Sequence, residues 1–300
     1  MRRLLRWTLF LGLIGICAFW FLTRPVFESA ESVAGLNGDA VRGEQIFYAG
    51  GCSSCHAAPN AEGEAKLLLA GGLAFETEFG TFHAPNISPH ENGIGGWSAI
   101  DLVNAMKHGV SPDGQHYFPA FPYTSYSKAA IEDIVDLKAY LDTLDPVETA
   151  NIPHEVGFPF NIRRSLGGWK LLFMNDNWIL ESEDAQVLRG RYLVEALGHC
   201  SECHTGRNLL GGATAAGFLG GGPNPDGKGN IPNITPHETG LAAWSTDEII
   251  EYLTSGFTPD FDVAGGSMTD VVSNISMLPP EDRAAIAAYL KAVPPVETKK

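Results

Sequence analysis

The chain has 300 residues, with 35 acidic against 20 basic side chains and a formal net charge of −15 at pH 7. That balance excludes nucleic acid as a partner, because binding phosphate needs a basic surface, and it suits a protein that docks basic partners or stays dispersed. The length allows two domains of roughly 100–150 residues each.

The N-terminus carries Arg2, Arg3 and Arg6, then an uncharged run from Trp7 to Thr23 closed by Arg24-Pro25. The run is just long enough to cross a bilayer at about 1.5 Å per residue, and the arginines before it place the N-terminus in the cytoplasm. A cleaved signal peptide is the competing reading, but Trp20, Phe21 and Leu22 make a bulky end for one, and the small-residue site at Ser32-Val33-Ala34 lies well past the run. An uncleaved anchor at 1–24 is therefore expected. Cys17 follows Ile16 rather than a small residue, so it reads as an ordinary membrane-embedded side chain. Residues 25–38 are polar and read as a tether.

Repetition begins after the tether. Arg42-Gly43 leads through a short amphipathic helix into Cys52-Ser53-Ser54-Cys55-His56, and Arg189-Gly190 leads likewise into Cys200-Ser201-Glu202-Cys203-His204. C-x-x-C-H is the attachment signature of a c-type haem. Its two thiols, one helical turn apart, add to the vinyl groups of one porphyrin, and the adjacent His becomes the proximal iron ligand. A zinc knuckle would pair Cys and His at other spacings, and a redox dithiol has no need of the His. Two covalently bound haem c groups are thus expected on Cys52, Cys55, His56 and Cys200, Cys203, His204. Covalent attachment takes place outside the cytoplasm, and Cys17 alone is left over, so no disulfide is available.

Farther along, Pro85-Asn86-Ile87-Ser88-Pro89-His90 matches Pro232-Asn233-Ile234-Thr235-Pro236-His237, at an offset of 147 residues that also relates Trp97-Ser98 to Trp244-Ser245. Ser98 and Ser245 read as N-caps of helices over 99–107 and 246–254. Each unit closes in a helix ending Ala-Tyr-Leu, at 139–141 and 288–290, and then a Pro-Val-Glu segment. The chain is a duplication. Its parts are an anchor at 1–24, a tether at 25–38, a first unit at 39–149, an interdomain segment at 150–178 and a second unit at 179–300. Phe158, Phe160, Trp169, Phe173 and Trp178 make the interdomain segment too aromatic for a free linker. Gly71-Gly72 and Gly220-Gly221-Gly222 lack the Lys-Ser/Thr ending of a phosphate loop and read as loops over a haem edge. Asn86 and Asn233 begin N-x-S/T triplets, but a turn-fixing role is simpler.

Each unit resembles a class I cytochrome c domain. The pair is similar to the cytochrome subunits of membrane-bound bacterial alcohol, gluconate and aldehyde dehydrogenases, which share Pro-Asn-Ile-Ser/Thr-Pro, Gly-x-x-x-Trp-Ser and Tyr-Pro-Ala-Met-Pro-Tyr. Here these are Pro85–Pro89, Gly93–Ser98 and Phe118–Tyr123. The resemblance implies an all-α fold of two tandem class I cytochrome c domains after a single N-terminal transmembrane helix. This chain departs in having two haem motifs where those subunits usually have three, and Phe121 in place of their Met.

A low-spin haem needs a sixth ligand, commonly a Met thioether. For the second haem the expectation is Met268, in Gly265-Gly266-Ser267-Met268, while Met277 reads as a core staple before the last helix. The position equivalent to Met268 in the first unit is Phe121, which cannot ligate iron. His116, in the turn approaching Phe121, is the first candidate there, with Met106, His108 and an open site as alternatives. His90 and His237 either bond a propionate or shape their turn. His83, His154 and His199 read as lone polar residues.

The reading is a periplasmic dihaem electron carrier anchored in the bacterial inner membrane, with no catalytic side chain of its own. Its donor would be a dehydrogenase or the quinol-oxidising bc complex, and its acceptor a terminal oxidase or soluble cytochrome c. The competing reading is a dihaem enzyme, either a thiosulfate dehydrogenase, which wants a spare Cys ligand, or a peroxidase, which wants a five-coordinate haem with a distal acid/base pair.

Overall fold

A computed structural model describes residues 1–224 and 229–298; residues 225–228 and 299–300, inside the expected second unit, lie outside the described residues. The N-terminal run forms one helix, α1 (Arg2–Leu22), none of whose side chains is buried. By length and composition α1 can cross a membrane. Residues 25–38 are not the free tether the sequence suggests. The Glu28 amide donates to Asn104 Oδ1 at 2.7 Å, and His108 Nε2 lies 3.1 Å from the Glu28 carboxylate. Gly38 sits so close to Val135 that a Cβ would meet its carbonyl at 2.6 Å. The segment lies docked along the first unit because its few polar groups find fixed partners there.

The first unit contains α2 (Ala40–Ala49), α3 (Cys52–His56), the antiparallel hairpin β1 (Ala74–Thr77) and β2 (Gly80–His83), then α4 (Ala99–His108), α5 (Tyr123–Tyr126) and α6 (Ile131–Leu141). After α7 (Ser165–Phe173), the second unit repeats the order: α8 (Ala185–Tyr192), α9 (Ser201–His204), the short pair β3 (Gly222–Pro223) and β4 (Asn230–Ile231), α10 (Thr246–Ser255), α11 (Met268–Ile275) and α12 (Pro280–Ala292). The chain is mostly helical, as the resemblance implies. Ser98 and Ser245 do cap α4 and α10, each with a reciprocal carboxylate from Asp101 or Glu248. Both helices run one residue past their predicted ends and stop at left-handed Gly109 and Gly256.

The repeated Arg-Gly pair explains how each unit closes. Gly43 lets α2 cross α6 so tightly that a Cβ would lie 2.0 Å from the Asp136 carbonyl oxygen; at Gly190, where α8 crosses α12, the figure is 1.9 Å to Ala285 O. Beside each glycine the arginine pins the crossing: Arg42 Nε donates to Asp136 at 2.7 Å, and Arg189 grips Asp282 through two nitrogens at 2.7 Å. The lead-ins differ in one respect. After α8 the chain widens into a π-turn, Leu193–Leu197, whereas α2 stays regular.

The two units share one hydrophobic core. Phe47, Ile134 and Leu137 of the first belong to the same buried cluster as Leu197, Ile249 and Tyr289 of the second. Polar ties cross the seam in both directions. Thr124, just after the start of α5, donates to Glu202 of the second attachment motif at 2.6 Å. Reciprocally, Asn274 on α11 bonds Ser53 and Ser54 of the first motif at 3.2 and 3.0 Å, and Lys66 pairs with Asp270 at 2.6 Å. In the interdomain segment Trp169 donates to Leu210 O at 2.8 Å and packs on Tyr123, while Trp178 lies against Lys128 and Arg191.

Candidate haem sites

Each attachment turn is held by the same set of bonds. His56 Nδ1 lies 2.8 Å from the Pro85 carbonyl oxygen, and His204 Nδ1 lies 2.8 Å from that of Pro232. With Nδ1–H donating to a carbonyl, the ring orientation is fixed and the lone pair sits on Nε2, where iron would take it. Burial lowers the pKa of both imidazoles, which keeps them neutral as ligation requires. The His carbonyls are held in turn: Gly71 N donates to His56 O at 2.7 Å, and Gly221 N to His204 O at 2.8 Å. Both glycines have positive φ, and a Cβ on either would strike the neighbouring Pro-Asn backbone at 2.5–2.7 Å. The Gly-rich loops therefore work on the proximal side, bracing the His and the Pro-Asn turn.

The asparagines fix that turn. Asn86 Oδ1 accepts from Ser88 N at 2.8 Å, and its Nδ2 donates to Val147 O and Thr149 O; Asn233 makes the corresponding bonds to Thr235 N and to Val296 O. Val147 and Val296 are the middle residues of the Pro-Val-Glu segments. Helix closure, Pro-Asn turn and proximal His thus form one braced unit, made twice. His90 and His237 bond their own turns at Asn92 N and Thr239 N, so they shape the loop.

The four motif thiols are held as neutral SH groups in this fold. All four are free, and burial, with the neighbouring sulfur adding to it, pushes Cys52 and Cys200 up to about 12. Among the described residues no group of His, Cys, Asp and Glu is arranged to hold a metal ion, so the zinc reading has no ligand set. Paired thiols one turn apart beside a neutral, oriented imidazole fit haem c at both positions.

The cytochrome c family model matches residues 40–145. A dihaem c-type cytochrome of Cereibacter sphaeroides is 58% identical over 99% of this chain and 100% of its own length. The chain belongs to the dihaem c-type cytochromes. It carries two covalently bound haem c groups, which supply reversible one-electron chemistry at iron. The fructose dehydrogenase cytochrome subunit of Gluconobacter japonicus is 34% identical and the gluconate 2-dehydrogenase cytochrome c subunit of Pantoea cypripedii 36%, each over 84% of this chain. This cytochrome spans only 52% and 59% of their lengths.

The distal candidates divide. Met268 opens α11 and is half-buried against the common core. Met277 is not the core staple expected of it; it is 59% exposed, because the turn into α12 carries it outward. His116 is engaged elsewhere. Its ring is buried, with Nε2 2.9 Å from Thr23 O and Nδ1 3.1 Å from Lys170 Nζ. Both nitrogens are spent, so no lone pair is left for iron. His108 is occupied by Glu28. Met106 is buried in the core on α4, and Phe121 packs edge-on against Tyr117 and obliquely against Tyr126.

Glu195 and His199 at the seam, and Lys170 on α7, have roles that the sequence reading did not assign. Glu195 is buried, with Lys128 Nζ at 2.7 Å and Tyr289 Oη at 2.6 Å, so one carboxylate binds both units. A lone acid inside the apolar run Leu193–Leu197 was the available signal. His199 is no idle polar residue: its Nε2 lies 3.2 Å from Gly50 O, so the residue before the second motif touches the approach to the first. Burial raises the Cys55 thiol to about 11, and Cys203 across the seam adds to this. Lys170 is buried beside the His108, Gly109 and His116 acceptors, and burial lowers it to about 7.

Proposed function

We propose that this dihaem cytochrome is a membrane-anchored electron carrier, with its haem units in the periplasm. It takes electrons from a dehydrogenase or the quinol-oxidising bc complex and passes them to a terminal oxidase or soluble cytochrome c. Met268 is assigned as sixth ligand of the second haem. Of the named donors for the first, only Met106 is left without a partner.

The observation that carries this reading is the seam. Each attachment turn is clasped by a helix of the other unit, at Thr124–Glu202 and at Asn274–Ser53/Ser54, and the two units share one hydrophobic core. Mounting two redox groups on one shared core suits relay of electrons between them. α1 supports the anchor, and the dehydrogenase subunits among the relatives support a dehydrogenase as donor.

The test uses the full chain in lipid vesicles. Reduction should require a protein donor, and reoxidation should follow addition of oxidase or soluble cytochrome c. Turnover of thiosulfate or hydrogen peroxide without any partner would overturn the carrier reading in favour of an enzyme.

A further inference from the structure

Helix α7 is oriented against its own chemistry. Its one lysine, Lys170, points inward and is 9% exposed, while Leu172 is 69% exposed and Leu171 stands out beside it. A water-facing helix buries its leucines and exposes its lysine. The neighbouring loops follow the same pattern: Phe158 is 82% exposed and Leu209 is 92% exposed, with Phe160 and Leu210 also outward. These residues form one surface. Phe160 packs edge-on against Phe79 at 5.1 Å, Gly211 lies against Phe79, and Trp169 of α7 donates to Leu210 O. Contiguous exposed apolar area of this kind marks an interaction surface.

Continuity with α1 tells what covers it. The end of α1 is seated on α7: Gly167 admits the Thr23 carbonyl, where a Cβ would stand 2.3 Å away, and Arg164 donates to Thr23 Oγ1 at 3.0 Å while its guanidinium lies 4.3 Å above the Trp20 ring. Leu171 lies one helical turn beyond Gly167, on the stripe that α1 touches. The charge fits as well. In a chain of net charge −15, the stretch Val156–Asn175 holds the partly exposed Arg163 and Arg164 and no acid, its lysine being turned inward.

We propose that the outer face of α7, with the Phe158–Phe160 and Leu209–Leu210 loops, lies in the headgroup layer of the bilayer that α1 crosses, on anionic lipid. This rests on the anchor reading above. The surface gives the haem units a second, interfacial attachment, so their orientation to the membrane is set by two contacts.

The test places single nitroxide labels at Leu9→Cys, Leu172→Cys and Leu209→Cys, each in a Cys17→Ser background of the full chain. All three replaced side chains are exposed, and haem content confirms folding. In phosphatidylcholine/phosphatidylglycerol vesicles, collision with oxygen is compared with collision with a water-soluble nickel chelate. The expected result is a shift at Leu172 and Leu209 toward the oxygen-favoured accessibility of Leu9, weakened in pure phosphatidylcholine. Nickel-accessible labels at Leu172 and Leu209 with a lipid-like Leu9 overturn the proposal and leave the anchor standing. A nickel-accessible Leu9 overturns both. Labels that are open in vesicles but shielded in native membranes assign the face to a protein partner and overturn the lipid surface.

Discussion

His116 shows how a side chain can have the right chemistry at the right spacing and still be used elsewhere. In sequence it was the imidazole nearest to Phe121; in the fold its two nitrogens join Thr23 at the end of α1 to Lys170 on α7. That use was illegible because it depends on 93- and 54-residue separations that no local pattern records. The cysteines and proximal histidines were legible, since their chemistry is fixed by five consecutive residues, and the structure adds only the carbonyls that orient them. The outcome for variants now differs between units. Met268→Ala should convert the second haem to a high-spin or carbon monoxide-binding form and remove the charge-transfer band of a thioether-ligated ferric haem. His116→Ala should leave both haem spectra unchanged while weakening the seat of α1. A first haem turned high-spin by His116→Ala would restore the imidazole as its ligand.

Among the elements, the helices bounded by side-chain caps were readable to within a residue, because Ser98 and Ser245 mark starts and Gly109 and Gly256 mark ends by local physics. The repeat at 147 residues was readable for the same reason. The π-turn after α8 and the docking of residues 25–38 were not; both answer to the seam and to α4, which are tertiary. The two crossings make a sharp test. A methyl group at Gly43 would overlap the Asp136 carbonyl, so Gly43→Ala must push α2 off α6, and overpacking of this kind costs about 1–3 kcal/mol or somewhat more. Gly190→Ala should cost a similar amount through Ala285. Gly96→Ala, where nothing lies within 4 Å, should be close to neutral. Denaturant midpoints of the three variants decide the matter; equal midpoints would mean the crossings are looser than they stand.

At the scale of the molecule, duplication gives two tandem units, and the fold joins them through one core. The cluster running from Phe47 through Leu137 to Leu197 and Tyr289 is continuous, and Glu195 with Lys128 ties the units at its centre. Hydrophobic pattern alone could assign each residue to a core but not say that the two cores were one. Chemical unfolding of the haem units should therefore be a single transition, with helix content and both haem environments lost together. Two resolved transitions, one per unit, would show the seam to be weaker than either half.

The seam also bears on how the protein is made. Ser53, between the cysteines of the first turn, is buried under Asn274, and Glu202, between those of the second, is held by Thr124. In the closed fold each attachment turn is clasped by a side chain from the other half of the chain, with Cys203 left exposed. An enzyme that joins thiol to vinyl needs those turns open. The expected order of maturation is therefore attachment first, on a chain whose halves are still apart, with the Asn274 and Thr124 contacts made afterwards.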